Sequence, residues 1–277
     1  MKKIGFIDYY LDEWHANNYP DFFKKAAGDE MEVAYAYGEI DSPIGGMTNI
    51  EWSEKYNIPL TETIDELIEK SDYIVVLSPD NPEMHVKLSD KALKSGKPVY
   101  IDKTFALTKE EALKIFENGD LNNTPCYSCS ALFFADELKD IDKENIIRII
   151  AFNGGDLDTY LIHSLEQIVY LMQNNAKRLM YLDKGGYPGV LIEFEDGRIA
   201  EVNFMQGASF VLNLGIKEKA MQTVEIKSDF FGNCIKGMTE FFKTGVIPVL
   251  HNQTINVIAI IEATMKGKDN PFKWIEI

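Results

Sequence analysis

Residues 65–107, DELIEKSDYIVVLSPDNPEMHVKLSDKALKSGKPVYIDKTFAL, constrain the fold more than any other stretch of this chain. Tyr73 to Leu77 is an unbroken apolar run with β-branched residues, the pattern of a strand covered on both faces, and Ser78-Pro79 stops it. The spacing predicts a helix from about Glu83 to Ser95, with Met84, Leu88, Ala92 and Leu93 on one stripe. Gly96 supplies a left-handed stop before Pro98. Val99-Tyr100-Ile101 reads as the next strand, so strand, crossover and strand form one βαβ unit with a parallel pair. Sheets of this kind bind ligands at the carboxyl ends of their strands, which here are Ser78-Pro79 and Asp102-Lys103.

The same alternation runs through the first half. Strands are expected at Lys3 to Ile7 and Glu32 to Tyr37, and helices at about Pro20 to Ala27, Thr61 to Glu69 and Lys109 to Phe116. That order predicts an α/β, Rossmann-like, doubly wound parallel sheet. The turn-rich GDLNNTP at Gly119 to Pro125 marks a boundary, giving domains at 1–122 and 123–277. The second half reads as α+β: a strand at Ile146 to Phe152, then a helix at Asp158 to Asn174 with Leu161, Leu165, Ile168, Val169 and Met172 on one face. Val190 to Glu195 and Arg198 to Met205 alternate around Asp196-Gly197, a hairpin signal, and further strands are expected at Ser209 to Leu214 and Gln222 to Ile226. Helices at about Gly232 to Thr244 and Gln253 to Met265 close the chain. The expectation is a mostly antiparallel, open-faced sheet packed on helices.

Composition narrows the function classes. A net charge of −16 with Arg148, Arg178 and Arg198 as the only arginines argues against nucleic acid and anionic membrane surfaces, which need clustered cations. No apolar run reaches the length of a membrane span, and the first residues read as a strand rather than a signal core, so a cytoplasmic location is expected. Cys126, Cys129 and Cys234 form an odd set with no disulfide framework. The C-x-x-C at Cys126 to Cys129 is read as two strand or loop thiols, the alternative being a redox or metal motif, for which no further ligands are evident. No metal site is expected.

Pro82-Glu83-Met84-His85, Gly96-Lys97-Pro98-Val99 and Asp102-Lys103-Thr104 together resemble the glucose-fructose oxidoreductase, inositol dehydrogenase and rhizopine-catabolism family, Gfo/Idh/MocA. In that family a Pro-x-x-His turn precedes a helix and Glu-Lys-Pro ends the following strand. The resemblance places the family lysine on Lys103, with Asp for Glu before it and Thr104 for a proline whose bond is often cis, a form Thr104 would resist by ~3 kcal/mol. In the second half, Gly154-Gly155-Asp156 leads to His163 at the family histidine, with Thr159 at the place of an Asp and Asp158 one residue out of register. Hydride transfer from a CH–OH group needs a base at the hydroxyl and a positive charge to favour the alkoxide, and the resemblance gives those catalytic roles to His163 and Lys103. Read from the residues alone, a Lys at a strand end is a solvated surface group and a His on a helix a structural one.

The resemblance implies an oxidoreductase that moves hydride between a nicotinamide dinucleotide and a sugar, cyclitol or similar polyol. It implies cofactor contacts at Asp8, Tyr9, Tyr10, Tyr37, Ser78, Pro79, His85 and Asp102, and substrate contacts at Asp158 and Thr159. It also implies a homo-oligomer, dimer or tetramer, formed through the second sheet. NAD is expected over NADP, because no Lys or Arg lies between Lys25 and Lys55 to neutralise a 2′-phosphate. The first βα turn departs from the family: FIDYYLDEWH has no glycine where G-x-G-x-x-G lets backbone N–H groups reach a pyrophosphate. Asp8, Asp12 and Glu13 add negative charge there, and a like-charge contact near 4 Å costs ~1–4 kcal/mol. The alternative is therefore a non-catalytic member that binds a sugar-like ligand or regulates, with a lost or weakened cofactor site.

Overall fold

A computed structural model describes residues 1–183 and 185–277, which pack as two compact units. The first comprises Met1–Cys129 with Gly232–His251, and the second Ser130–Phe231 with Asn252–Ile277. Residues 232–251 thus join the first unit, where the sequence reading had left them with the second half.

The first unit is built on five parallel strands, β1 (Lys2–Asp8), β2 (Met31–Gly38), β3 (Tyr73–Val76), β4 (Val99–Ile101) and β5 (Cys126–Tyr127), in the order β2-β1-β3-β4-β5. Ile74, Val75 and Val76 are fully buried, as a central parallel strand requires. Five helices connect the strands: α1 (Trp14–Ala27), α2 (Asn49–Tyr56), α3 (Ile64–Lys70), α4 (His85–Ser89) and α5 (Lys109–Leu121). Two departures from the sequence reading concern them. The single helix expected from Glu83 to Ser95 is a 3₁₀ turn at Pro82–Met84, the short α4 and another 3₁₀ turn at Ala92–Lys94. The helix expected from Pro20 begins at Trp14 instead, because Glu13 accepts the N–H groups of His15 and Ala16 and so caps an earlier start.

The sequence reading also passed over α2. Thr48 and Glu51 form a reciprocal capping box at its start, a signal legible as T-x-x-E. The bond between Lys103 and Thr104 is cis, contrary to the expectation for a threonine. All three cysteines are buried and none is in a disulfide; burial pushes the Cys126 thiol up to about 12, so the C-x-x-C behaves as packing.

The second unit holds seven strands: β6 (Ile146–Asn153), β7 (Ala176–Leu182), β8 (Gly189–Phe194), β9 (Ile199–Phe204), β10 (Val211–Ile216), β11 (Gln222–Glu225) and β12 (Trp274–Glu276). Their order is β11-β10-β6-β9-β8-β7-β12, with β6 and β9 parallel and every other neighbouring pair antiparallel. The long α6 (Leu157–Met172) packs on β6 and β9, and Asp156 starts it by accepting the Thr159 N–H at 2.9 Å. The hairpin at Asp196-Gly197 forms as expected, with Gly197 at φ +84°. β7 and β12 had no counterpart in the reading, since Ala176–Leu182 lacks strict alternation and Trp274–Glu276 is too short to carry any. The remaining helices are α7 (Phe230–Thr244) and α8 (His251–Lys268).

Gly5 shows how tightly the first sheet is covered. A Cβ there would lie 2.5 Å from both Leu67 Cδ2 on α3 and Ser71 Oγ, so β1 and α3 approach as closely as a missing side chain permits. Gly5→Ala should therefore destabilise the protein by about 1–3 kcal/mol, the usual cost of overpacking, as read from a lowered midpoint in urea unfolding. An unchanged midpoint would show that α3 moves aside freely.

Candidate functional site

In the first unit the polar residues gather at the carboxyl edge of the parallel sheet. Asp8 ends β1, and Asp102 and Lys103 follow β4. Between them the turn at Tyr9 to Glu13 enters α1. Read at the spacing of a G-x-G-x-x-G fingerprint, Asp8, Tyr10 and Glu13 stand in the three glycine places, and all three are buried. Glu13 Oε2 accepts the His15 N–H at 2.7 Å, and Oε1 accepts that of Ala16.

His15 ties this turn to the end of β4. Its Nδ1 lies 3.1 Å from Glu13 Oε2 and 3.7 Å from Asp102 Oδ2. Burial alone would lower the His15 pKa, but the Asp102 charge and the Glu13 hydrogen bond together raise it above the ordinary imidazole value. Asp8 behaves oppositely. Burial pushes its carboxyl well above the usual carboxylate range, and the charges of Glu13 and Asp102 push the same way. Its Oδ1 accepts the Tyr9 N–H at 2.7 Å, while its Oδ2 has no hydrogen-bond partner. Asp102 is held by Tyr100, whose hydroxyl lies 3.0 Å from Oδ1; Asp102 Oδ2 also lacks a hydrogen bond. Lys103 is 9% exposed, beside the His15 charge, which it opposes.

The other expected contacts of this unit have local duties. Ser78 sits at φ +83°, a strained place for a residue with a side chain, and its hydroxyl donates to Asn81 O at 3.0 Å. Pro79 is buried beside it. His85 is fully buried between two carbonyl oxygens, Leu77 O at 2.6 Å from Nε2 and Phe105 O at 3.1 Å from Nδ1. Burial lowers its pKa, and the neutral ring, which carries one N–H, donates to one of the two oxygens while lying between the end of β3 and the segment after Lys103. Tyr37 donates its hydroxyl to Glu39 at 2.9 Å, and Glu39 is also paired with Lys87.

In the second unit, His163 stands on α6 with Nδ1 2.6 Å from Ser130 Oγ. Glu166, one turn on and buried, accepts the Ser130 N–H at 2.5 Å. Tyr160 and Phe210 place their rings edge-on to His163 at 5.3 and 5.9 Å. Thr159 is exposed at the start of the same helix, and Asp158 is exposed and paired with Lys268. The structure thus groups His163 with Ser130 and Glu166, and turns Asp158 to a lysine of α8. Ser130, His15 and Asn49 are site residues that the sequence alone does not single out, and Glu13 is legible there only as added negative charge. A signal existed only for Asn49, which follows the N-cap Thr48. Among the described residues no group of His, Cys, Asp or Glu is arranged to hold a metal, and no helix is long and apolar enough to cross a membrane.

A dinucleotide pyrophosphate does not fit this first turn as it stands. The N–H groups that open α1 are bonded to Glu13, and the places where glycines would admit the phosphates carry Asp8, Tyr10 and Glu13. Asp8, Tyr9 and Tyr10, expected as cofactor contacts, therefore form a filled turn rather than a cradle.

Comparison with known proteins adds the following. Residues 44–123 match the model of an oxidoreductase family with an NAD-binding Rossmann fold, Gfo/Idh/MocA; the matched segment begins after β1, α1 and β2. No curated protein matches the sequence. Solved structures share the fold along nearly all of the chain. The myo-inositol dehydrogenase of Lactobacillus casei in complex with NAD(H) and myo-inositol superposes with a TM-score of 0.81 at 12% identity, covering 100% of this chain and 96% of that one. GenD2 of gentamicin A biosynthesis in complex with NAD gives 0.79 at 12% identity, covering 100% and 97%. The biliverdin reductase of Synechocystis sp. PCC 6803 in complex with biliverdin and NADP+ gives 0.70 at 10% identity, covering 96% and 98%. These are the two-domain folds of NAD(P)-binding oxidoreductases.

The charge pattern at the first turn has a measurable consequence. Because the folded His15 pKa is raised, its contribution to stability is fully present below the unfolded value near 6.5 and is lost as pH climbs through the folded value. The His15 contribution to wild-type stability should therefore fall as pH rises above about 6.5, and His15→Asn should flatten that slope in urea unfolding at several pH values. Equal slopes would remove His15 from the linkage.

Proposed function

We propose that the chain is a member of the Gfo/Idh/MocA oxidoreductase family, whose model matches residues 44–123, and that it recognises a small, neutral, polyhydroxylated molecule, a sugar or cyclitol, through His163 and its neighbours on α6. The observation that carries the proposal is the His163–Ser130 contact at 2.6 Å, with Ser130 itself fastened by Glu166. With the proton on Nδ1, that ring nitrogen donates to Ser130 Oγ, which fixes the orientation of the imidazole on α6. The Tyr160 and Phe210 rings edge-on to the imidazole add apolar surface of the kind that sugar C–H faces pack against. Exposed Thr159 can accept or donate to a second hydroxyl from the same helix.

Two Lactobacillus casei dehydrogenases of similar fold hold NAD(H) together with scyllo-inositol or myo-inositol. The finer reading for this chain is an oxidoreductase of CH–OH groups, with His163 taking the hydroxyl proton, Lys103 favouring the oxyanion, and NAD preferred over NADP. The filled first turn favours the second reading, a ligand-binding or regulatory protein whose cofactor site is lost or weakened. Polyol recognition is common to both, and assembly through the open face of the seven-stranded sheet is compatible with either.

Calorimetric titration with myo-inositol, scyllo-inositol and a series of hexoses, without nucleotide, tests the common part. At least one should bind saturably, and His163→Ala should weaken it tenfold or more, about the ~1.4 kcal/mol of one good hydrogen bond to a ligand. Ser130→Ala should weaken the same polyol less and shift the pH dependence of its binding. Binding that is indifferent to His163→Ala would move the ligand off α6.

A further inference from the structure

We infer that the place of the dinucleotide in the first unit is held by the chain's own side chains, so that this protein works without a bound nicotinamide dinucleotide. Two separate halves of the site lead there. In the pyrophosphate half, the donors are already spent. Tyr9 N–H goes to Asp8 Oδ1 at 2.7 Å, Leu11 N–H to Asn49 Oδ1 at 3.2 Å, and Glu13 N–H to Leu11 O at 2.8 Å. His15 and Ala16 N–H groups go to the two oxygens of Glu13. A phosphate must find N–H groups free at such a turn, because the anion is bound by donors and by the positive end of the helix. Here Glu13, 6% exposed, is the anion.

In the adenosine half, the space beside the end of β2 is occupied by Asn49. Its Nδ2 donates to Ile40 O at 2.8 Å and to Gly38 O at 3.2 Å, while its Oδ1 reaches back to Leu11. A Cβ on Gly38 would lie 2.5 Å from the Asn49 amide, so that amide fills the position against the backbone. The acid that would hold the ribose, Glu39, is bonded to Tyr37 and Lys87 instead. Asp12 completes the closure: Oδ2 accepts Met47 N–H at 2.7 Å and Oδ1 accepts from Asn17 Nδ2 at 3.0 Å, which ties the segment before α2 to the first turn. The Glu13, Asn49, Asp12 and Glu39 side chains are each in internal hydrogen bonds, and a dinucleotide that displaced them would have to replace those bonds. The family model's match, which starts at residue 44, omits this β1-α1-β2 segment.

The inference does not rest on the polyol reading of the second unit, and the two can fail separately. The test is calorimetric titration of the full-length protein with NAD, NADH, NADP and NADPH, each to about 1 mM, with and without a polyol found to bind. The expected result is no saturable binding of any of the four, with polyol binding unaltered by their presence. Saturable binding of any one at tens of micromolar overturns the inference, whatever the polyol does. The double variant Glu13→Ser with Asn49→Ala keeps a side-chain oxygen at the helix cap and removes both occupants; it should bind at least one of the four at least tenfold more tightly than wild type. A folded double variant that gains nothing overturns the claim that these side chains exclude the dinucleotide. Should that variant not fold, a crystal structure of the wild type grown with NADH decides: Glu13 on the His15 and Ala16 N–H groups supports the inference, and a pyrophosphate in that place overturns it.

Discussion

The Glu13 carboxylate on the first N–H groups of α1 is the contact on which the first unit's chemistry depends. A helix that starts six residues before Pro20 must satisfy its opening N–H groups, and the chain does so with an acid rather than with the smaller Ser, Thr, Asp or Asn usually found there. An acid brings a full charge to the positive end of the helix, which stabilises both. That charge is buried, however, and a buried carboxylate needs company. His15 supplies it on the same turn, and through Asp102 carries the connection to the end of β4, two strands away in the sheet order.

The electrostatics of this edge follow from that arrangement. Glu13 and Asp102 lie close enough to Asp8 to raise its pKa, and the sheet offers all three carboxyl groups little water. Full ionisation of all three would leave uncompensated charge in a poorly solvated place. Burial and its neighbours push the Asp8 pKa up, while Asp102 and Glu13 flank His15 and raise its pKa. A negatively charged ligand entering here would meet the same carboxylates. The turn thus stabilises itself by the interactions that make it inhospitable to phosphate.

Much of the architecture was legible because it is written in buried apolar runs. Tyr73 to Leu77 and Val99 to Ile101 announce central strands, and the alternation around Asp196-Gly197 announces a hairpin, since both patterns follow from which faces are covered. The elements that were missed lack such patterns: α2 is short with one buried residue, and β7 and β12 meet at an edge of their sheet. The site was legible in part. The absence of glycines in the first turn and the place of His163 on its helix face could be read off the residues. What filled the turn could not, because Glu13 and Asn49 act through contacts with backbone that only the folded chain brings near. Asp158 illustrates the same limit from the other side, as its partner Lys268 is distant in sequence.

Fold and site therefore diverge at different rates in this chain, for a physical reason. The sheets need only apolar volume at the right faces, and many sequences supply it, which is how superpositions at 10–14% identity still span 96–100% of the chain. A phosphate cradle needs particular absences: no Cβ at the turn and no competing acceptor at the helix start. Absences are easily lost, and once side chains occupy the cradle they become part of what holds β1, α1 and the segment before α2 together. Asn49 alone joins three backbone groups from the first turn and the end of β2. Reopening the cradle would cost the first unit those bonds, so the filled turn is now as much a structural element as the strands it connects.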